Sequence, residues 1–234
     1  MHGSYFLTNC LWLQYGVTTP SGQHKLSEDA FAMVVTGLTL PLKSGGVLAT
    51  LYGTYKGDGA MNAAKYSLVA VKSTDGGKTW GWLSTVASHL TKGSPSQCLM
   101  PSESSTVYLK NGTLFTVFRS GGGGKPLCST VSSDDGQTWS IPVVMPGPIG
   151  VEPKIRVLPS GRLALSTGRP GIYLYVAGDP PTAWQSFNIA AAHNKLVGQK
   201  NLTFVSDIPG GGLNGTTSYV RPQAIQKSTI ALFF

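Results

Sequence analysis

The sequence has few charged residues, few cysteines and no long apolar run. Aspartate, glutamate, lysine and arginine make up 12% of its 234 residues, whereas it contains 30 glycines and 15 prolines. That composition is typical of a turn-rich all-β protein, and no long amphipathic helical pattern is found. The longest apolar stretch, residues 30–42, is interrupted by Thr36, Thr39 and Pro41. Because it is too short to span a bilayer, the sequence predicts no transmembrane segment.

The scarcity of cysteine argues against a metal-binding or disulfide-rich protein, and the spread of positive charge argues against a nucleic-acid-binding one. Cys10, Cys98 and Cys128 lack the spacing of metal ligands, so neither a metal site nor a cofactor is predicted. An odd number leaves at least one cysteine unpaired, and the spacing predicts no disulfide framework. The net charge of +8 is scattered along the chain rather than clustered with aromatic residues, so we expect no nucleic-acid partner. The N-terminus lacks the pattern of a secretory signal, and no compartment is assigned.

Two copies of one eight-residue pattern organise the chain. Residues 73–80 and 132–139 both read S-x-D-x-G-x-T-W. In such a turn, Ser and Asp accept hydrogen bonds from nearby backbone N–H groups and Gly supplies the positive φ. Trp then buries a large ring beside the outgoing strand. One copy alone would be an ordinary Asp-Gly hairpin, but two copies in one register predict a structural repeat.

A second repeat alternates with the first. Gly46, Gly112 and Gly161 each stand at a turn that leads into an apolar strand, and Ser228 does so more loosely. The turn formed by the S-x-D-x-G-x-T-W pattern is called an Asp-box turn. The order within a unit is then strand, glycine turn, strand, loop, strand, Asp-box turn and strand, which predicts a four-stranded antiparallel blade. In the third unit, residues 177–184 keep only the Asp and Trp of the pattern, as a degenerate box.

Blades of this kind arranged radially form a β-propeller. We therefore expect an all-β fold of about four blades in a single domain over residues 1–234, of which residues 1–40 are the least readable. Six such blades need roughly 250–300 residues or more. The expectation is that the chain is part of a larger propeller, incomplete at both ends.

The topology predicts where reactive residues meet. The strand 1–2 turns and the Asp-box turns lie at one end of the blades, so the start of strand 1 and the end of strand 2 lie at the other. Five residues of reactive type are expected at that other end, and we treat them as a candidate site: Asp58, Glu103, Arg119, Arg169 and Tyr219. Each one alone would be an ordinary solvated loop position.

The two boxes resemble the Asp-box (BNR) repeats of the sialidase superfamily, whose fold is a six-bladed β-propeller. The stretch from Glu103 to Arg119 is also similar to the E-x₅-L-x₂-G-x-L-x₄-R hairpin of exo-α-sialidases, with Leu109, Gly112 and Leu114 at the matching positions. This resemblance implies that Glu103 activates the nucleophile and that Arg119 binds the substrate carboxylate.

Three further roles rest on the resemblance. Tyr219, in a Ser-Tyr pair before the strand-like residues 229–234, matches the family nucleophile. Arg169 matches a carboxylate-binding arginine, and Asp58 the acid/base. The carboxylate of sialic acid would repel an anionic nucleophile, so a neutral tyrosine hydroxyl suits this substrate. The tyrosine then needs a neighbouring base to accept its proton. The implied activity is retaining release of terminal sialic acid, or a related acidic sugar, from glycoconjugates.

The sequence departs from the family in one respect that keeps alternatives open. The first arginine of the family lies in a Phe/Tyr-Arg-Ile-Pro motif before the first unit, and this chain has no arginine before Arg119. One alternative is a catalytically inactive Asp-box propeller that binds glycans or a protein partner. Another, suggested by the Gly-Arg-Pro-Gly sequence around Arg169, is a BNR-type enzyme that acts on a different sugar.

Overall fold

The computed structural model describes residues 17–19, 22–24, 30–35, 37–55, 66–122, 124–169, 171–197, 221–226 and 229–233. Two short strands, β1 (Val17–Thr19) and β2 (Gly22–His24), pair antiparallel. The strands that follow form the predicted blades, and the blades are numbered from 1 to 3 along the chain.

Blade 1 contains five strands in antiparallel arrangement. They are β3 (Ala30–Val35), β4 (Leu40–Pro41), β5 (Val47–Tyr55), β6 (Ser67–Ser73) and β7 (Gly81–Ser88). Both β3 and β4 pair with β5, so together they occupy the place of one strand beside it. The described residues of β6 are almost all buried because the middle strands of a blade are covered on both faces.

Blades 2 and 3 are four-stranded antiparallel sheets whose strands are hydrogen-bonded in sequence order. Blade 2 comprises β8 (Pro101–Tyr108), β9 (Leu114–Ser120), β10 (Pro126–Ser132) and β11 (Val143–Ile149). Blade 3 comprises β12 (Val151–Val157), β13 (Leu163–Gly168), β14 (Tyr173–Ala177) and β15 (Gln185–Asn188). The predicted all-β propeller fold, present as a partial propeller, is confirmed.

One helix and one pair of strands follow blade 3. A nine-residue helix, α1 (Ile189–Val197), follows β15 and was not predicted. Strands β16 (Arg221–Gln226) and β17 (Thr229–Phe233) form an antiparallel pair, as expected for the start of a fourth unit. The backbone of β16 lies beside β12 and β13, where the next blade of a propeller belongs.

The hydrophobic core lies between the blades rather than within one sheet. Leu48 and Leu68 of blade 1 pack with Leu114 and Phe118 of blade 2, and all four side chains are buried. The opposite face of blade 2 packs on blade 3 through a second cluster that includes Val117. Burial of a leucine or phenylalanine side chain stabilises the folded state by about 1.5–3 kcal/mol, so these faces fix each blade against the next.

Both Asp-boxes make the same hydrogen bonds, as the pattern predicts. In residues 132–139, the Ser132 hydroxyl accepts from the Gly136 N–H (2.8 Å), and Asp134 accepts from the backbone N–H of Thr138 (2.8 Å). The equivalent distances in residues 73–80 are 2.8 and 2.9 Å. Burial alone would raise the pKa of Asp134, but hydrogen bonds from Thr138 and Ser132 outweigh it and lower that pKa.

The first glycine turn differs by one residue from the predicted match. Leu42 donates its N–H to the Gly46 carbonyl (3.0 Å) and accepts from Gly45 (3.1 Å). Leu109, Thr113 and Gly112 make the same pair of bonds in blade 2, so Gly45 rather than Gly46 corresponds to Gly112. Gly45 and Gly46 are adjacent, and both have a φ of 85°. Either one fits the turn, so the sequence alone does not show which of them corresponds to Gly112.

Contacts between the turns lock neighbouring blades at the Asp-box end, which is defined as the end carrying residues 73–80 and 132–139. Asp135 accepts from the Ser44 N–H of blade 1 (2.7 Å) and from the Tyr108 hydroxyl. Asp179, in the degenerate box, accepts from the Lys110 N–H of blade 2 (2.8 Å). The degenerate box therefore lies where it was predicted, joining β14 to β15, and it connects blade 3 to blade 2.

The contacts between blades 1 and 2 at the Asp-box end, called the lock, shift the pKa values of Tyr108 and Asp135. Burial raises the pKa of Tyr108 to about 12, and the hydrogen bond to Asp135 acts in the same direction. Burial alone would raise the pKa of Asp135, but hydrogen bonds from Ser44 and Tyr108 outweigh it and lower the pKa to about 2. The Lys43 ammonium lies 5.0 Å from the centroid of the Tyr108 ring, a cation–π contact that ties the same two blades together.

Blade 2 also carries a covalent link that the sequence did not predict. Cys98, in a 3-10 helix (Ser96–Cys98) before β8, forms a disulfide with Cys128 of β10. Their Cα atoms are 5.9 Å apart, and both residues are buried. The expectation of no readable framework was therefore incomplete, because three cysteines allow one pair and sequence spacing does not reveal which.

Candidate functional site

Glu103 and Arg119 lie side by side at the end of the blades opposite the Asp-boxes, which is called the Glu103 end. It carries the starts of β8 and β12, the ends of β9 and β13, and the loop residues 121–122, 124–125, 169 and 171–172. The Arg119 Nη1 atom lies 2.8 Å from the Glu103 Oε1 atom. Glu103 is buried, whereas the Arg119 side chain keeps 22% of its surface exposed.

The backbone explains why Glu103 points towards Arg119. Between Pro101 and Ser104, β8 advances three residues while β9 advances two, from Ser120 to Phe118. Such a β-bulge redirects the side chains that it contains, and bulges are common beside functional sites. Glu103 lies within this bulge. Its second oxygen, Oε2, accepts from the backbone N–H of Glu152 at 2.8 Å.

Arg119 is held by two contacts and retains further donors. Its Nε–H donates to the Gly121 carbonyl at 2.7 Å, and its Nη1 group donates to Glu103. A guanidinium carries N–H donors on both sides of its fork. These two contacts use Nε and Nη1, so the Nη2 side is directed to neither partner. A partly exposed guanidinium of this kind suits bidentate binding of a carboxylate.

Arg169 reaches the same end through its backbone. Its carbonyl accepts from the Gly124 N–H at 3.3 Å, so the loops after β9 and β13 are joined. Its φ of 33° is one that residues other than glycine rarely adopt. Its Nε atom is buried and has no hydrogen-bond partner among the described residues. Strained residues with unpaired polar groups often mark ligand sites.

The structure thus brings Glu103 and Arg119 into direct contact and places the Arg169 loop against the loop that follows Arg119. Asp58 and Tyr219 lie outside the described residues. Among the residues that are described, no group of His, Cys, Asp and Glu side chains has the arrangement of a metal site. Similarly, none of the described helices has the length and apolarity of a membrane span.

Glu152 and Lys154 also lie at the Glu103 end, and the sequence did not lead us to predict them. Glu152 lies 49 residues after Glu103, and Leu158, Gly161 and Leu163 repeat the positions of Leu109, Gly112 and Leu114 at the same offset. The Glu152 Oε1 atom lies 2.5 Å from the Lys154 Nζ atom, and both residues are buried. The 49-residue repeat was the signal that would have revealed Glu152.

Comparison with known proteins agrees with this architecture. The profile of a family described as a BNR repeat-like domain matches residues 16–185, which is most of the chain. The chain belongs to this BNR repeat-like family. No match is found among functionally curated proteins.

Solved structures with the same fold include sialidases. A protein of unknown function from Dyadobacter fermentans has a TM-score of 0.57 and 22% identity, over 73% of this chain and 44% of that one. The Hadza microbial sialidase Hz136 has a TM-score of 0.56 and 15% identity, over 86% and 35%. A leech intramolecular trans-sialidase, complexed with 2,7-anhydro-Neu5Ac, has a TM-score of 0.51 and 18% identity, over 90% and 30%.

These similarities define the fold of the chain. At identities of 15–22%, they establish a sialidase-type propeller architecture and leave the chemistry to be argued from this chain's own residues. The described chain spans less than half the length of each of these three proteins, with 44% as the largest share.

Proposed function

We propose that this chain belongs to an exo-α-sialidase-type glycoside hydrolase, which releases terminal sialic acid or a related acidic sugar from glycoconjugates with retention of configuration. The observation that carries the proposal is the Glu103–Arg119 pair, 2.8 Å apart at one end of an Asp-box propeller. It combines a buried carboxylate with a partly exposed guanidinium, as the reaction requires.

In the proposed reaction, Tyr219 is the nucleophile and Glu103 accepts its proton. A carboxylate has about four lone-pair sites, and Arg119 and the Glu152 N–H use one on each oxygen. Glu103 therefore keeps acceptor capacity for a tyrosine hydroxyl while its orientation is fixed by two donors. Asp58 protonates the leaving oxygen and later activates water, which is the usual division of labour in a retaining mechanism.

Arg119 and Arg169 bind the substrate carboxylate in this proposal. The Nη2 side of Arg119 and the unpaired Nε of Arg169 are supporting observations, because both supply N–H donors at the Glu103 end. Charge-assisted hydrogen bonds to a carboxylate are the strong ones among polar contacts. A substrate that carries a carboxylate on its anomeric carbon therefore fits the two arginines better than a neutral sugar does.

The test compares the wild type with Tyr219→Phe on a fluorogenic sialoside. We expect hydrolysis by the wild type and at least a hundredfold loss in the variant, because the variant lacks the nucleophilic oxygen. Proton NMR during the first minutes should show the α-anomer of the released sugar. Equal turnover by both proteins, absence of turnover by the wild type, or initial release of the β-anomer contradicts the proposal.

A second candidate function is glycan or protein binding without hydrolysis. It is favoured by the absence of any arginine before Arg119 and by the engagement of Glu103 in contacts within the protein. Under this alternative, the propeller retains sialosides on a glycan array while the fluorogenic substrate is not cleaved. Hydrolysis that depends on Tyr219 excludes it.

A further inference from the structure

The side chains of Glu152 and Lys154 form an ion pair next to the candidate base and take no part in the proposed reaction. Its two charges are buried, with exposed fractions of 7% for Glu152 and 5% for Lys154. Removing charges from water is costly unless they are paired. An ion pair kept at such a position, and in direct contact with Glu103 through the Glu152 backbone, calls for a function of its own.

The backbone at Glu152 is bent in a specific way. Between Val151 and Lys154, β12 advances three residues while β13 advances two, from Gly168 to Ser166, so Glu152 lies within a β-bulge. Its φ is 47°, in the left-handed region that residues with a side chain rarely adopt. The bulge frees the Glu152 N–H from the strand ladder, and that N–H donates to Glu103 Oε2 at 2.8 Å.

The ion pair supplies the constraint that keeps this bend. The Lys154 ammonium follows the bulge on the same strand and binds the Glu152 carboxylate at 2.5 Å. A residue in a sparsely populated backbone conformation persists when its surroundings fix it. Here the surroundings include a short bridge between the side chain inside the bulge and the residue that closes it.

We propose that Glu152 and Lys154 form a positioning unit for Glu103: their ion pair holds the β12 bulge, and the bulge directs the Glu152 N–H onto the Glu103 carboxylate. Both residues are positioning residues, because they act through Glu103. The role in turnover rests on the proposed function. The geometric part is a hydrogen bond from the Glu152 N–H to Glu103 that depends on Lys154. This part is independent of the proposed function.

The composition of the chain allows a direct test of the geometric part. The sequence contains three glutamates, Glu28, Glu103 and Glu152, so selective labelling with [¹⁵N]glutamate gives three backbone amide signals. Loss of one signal in Glu103→Gln and of another in Glu152→Gln assigns both site residues. We expect the Glu152 amide proton to resonate further upfield in Glu103→Gln than in the wild type, because the variant replaces the charged carboxylate that accepts its hydrogen bond with a neutral amide. A Glu152 signal that is the same in wild type and Glu103→Gln at every pH overturns the hydrogen bond.

The role of Lys154 is tested by hydrogen exchange at the same amide. Lys154→Met should increase the exchange rate of the Glu152 amide at least tenfold, whereas Lys154→Arg, which keeps the charge, should restore most of the protection. Lys110→Met is a matched control, because Lys110 is exposed and lies at the Asp-box end. If Lys154→Met leaves the Glu152 exchange rate unchanged, the positioning unit does not exist.

Lys154→Met removes the ammonium that pairs with the buried Glu152 carboxylate and can prevent folding. The double variant Glu152→Gln/Lys154→Met removes both charges together and keeps the experiment decisive, since it also lacks the ion pair. In the double variant, we again expect faster exchange of the amide at position 152, followed after labelling with [¹⁵N]glutamine. Wild-type protection in the double variant overturns the proposal.

Kinetics with the fluorogenic sialoside test whether the Glu152–Lys154 pair affects turnover. A misplaced Glu103 should lower kcat about tenfold in the double variant while KM changes less than about twofold, because small displacements of a catalytic group affect the chemical step. An unchanged kcat together with the expected exchange result contradicts the role in turnover alone. If the wild type does not hydrolyse the substrate, the proposed function fails, and the NMR and exchange results still decide the geometry.

Discussion

Blades 2 and 3 share one scaffold but arrange their charged residues differently. In both, a glutamate lies in a bulge of the first strand, and leucine and glycine recur at matching positions 49 residues apart. In blade 2, Glu103 pairs across the sheet with Arg119, whose side chain is 22% exposed. In blade 3, the position of Arg119 is taken by Gly168, and Glu152 pairs with Lys154 on its own strand.

This difference separates a pair that a ligand can reach from one that it cannot. Leucine and glycine recur at matching positions of the first turn in both blades, so this shared scaffold alone does not determine chemistry. At the position where blade 3 has Gly168, blade 2 carries an arginine in its second strand. Blade 3, which lacks it, uses its glutamate to support its neighbour.

The largest effect is expected when the glutamate of each blade is replaced and the losses of activity are compared. Glu103→Gln should lower kcat/KM for the fluorogenic sialoside by about 10³-fold, because a glutamine cannot accept the proton of the nucleophile. Glu152→Gln keeps the backbone N–H and should lower it only about tenfold. The measurement is steady-state kinetics on both variants. Equal losses would mean that the two glutamates have the same role.

The second prediction compares the two ion pairs in stability. Lys154→Met removes the cation that pairs with the buried Glu152 carboxylate, so we expect the free energy of unfolding to fall by about 3–5 kcal/mol. Arg119→Met should reduce it by less, about 1–3 kcal/mol, because Arg119 is partly exposed and water can replace it. Urea unfolding of both variants gives the two values. A larger loss for Arg119→Met would reverse the assignment of the supporting pair.

The third prediction concerns the disulfide, which blade 2 has and blade 3, without a cysteine, does not. Cysteines 30 residues apart close a loop whose crosslink stabilises a fold by about 3–4 kcal/mol. Cys98→Ala/Cys128→Ala should therefore lower the free energy of unfolding by about that amount. Hydrogen exchange should accelerate in β8 and β10 more than in β12 and β13. Uniform acceleration would show that the two blades unfold as one unit.

The smallest expected effect tests the lock between blades 1 and 2. The pKa of Asp135 is lowered from 3.8 to about 2, so its contribution to stability is present above about pH 4 and is lost as the pH falls through 2. Asp135→Asn should remove about 1 kcal/mol at pH 7 and flatten the acid limb of the stability profile. Asp179→Asn at the blade 2–3 boundary is the control. An unchanged acid limb in Asp135→Asn would contradict the lock.

The sequence predicted the fold well because the turns carry their own chemistry. Ser132, Asp134 and Thr138 specify the box by hydrogen bonds within eight residues, so the pattern alone determines the local structure. Asp179 was placed correctly because Asp179 and Trp184 keep their positions in the box pattern. Its turn has Ala183 where the complete boxes have threonine, and Asp179 accepts from the Lys110 N–H of the neighbouring blade, a long-range contact that no local pattern contains.

The candidate site was only partly predictable, since its members depend on backbone bends and on contacts distant in sequence. Glu103 and Arg119 were found through one hairpin. The bulge at Glu152, with its positive φ, has no sequence signature because glycine is not used there. The partner of Cys98 could not be inferred from spacing. Two adjacent glycines, Gly45 and Gly46, likewise concealed a one-residue shift that hydrogen bonds reveal.

The bond between Cys98 and Cys128 encloses both Glu103 and Arg119 in one covalent ring, since both residues lie between the two cysteines along the chain. The glycine-rich residues 121–124 lie within the same ring. A protease that cuts there once would open the chain without separating the two charged residues, because the resulting fragments stay joined through sulfur. A nicked molecule would migrate as a single species until it is reduced, with the ion pair still held on one connected piece.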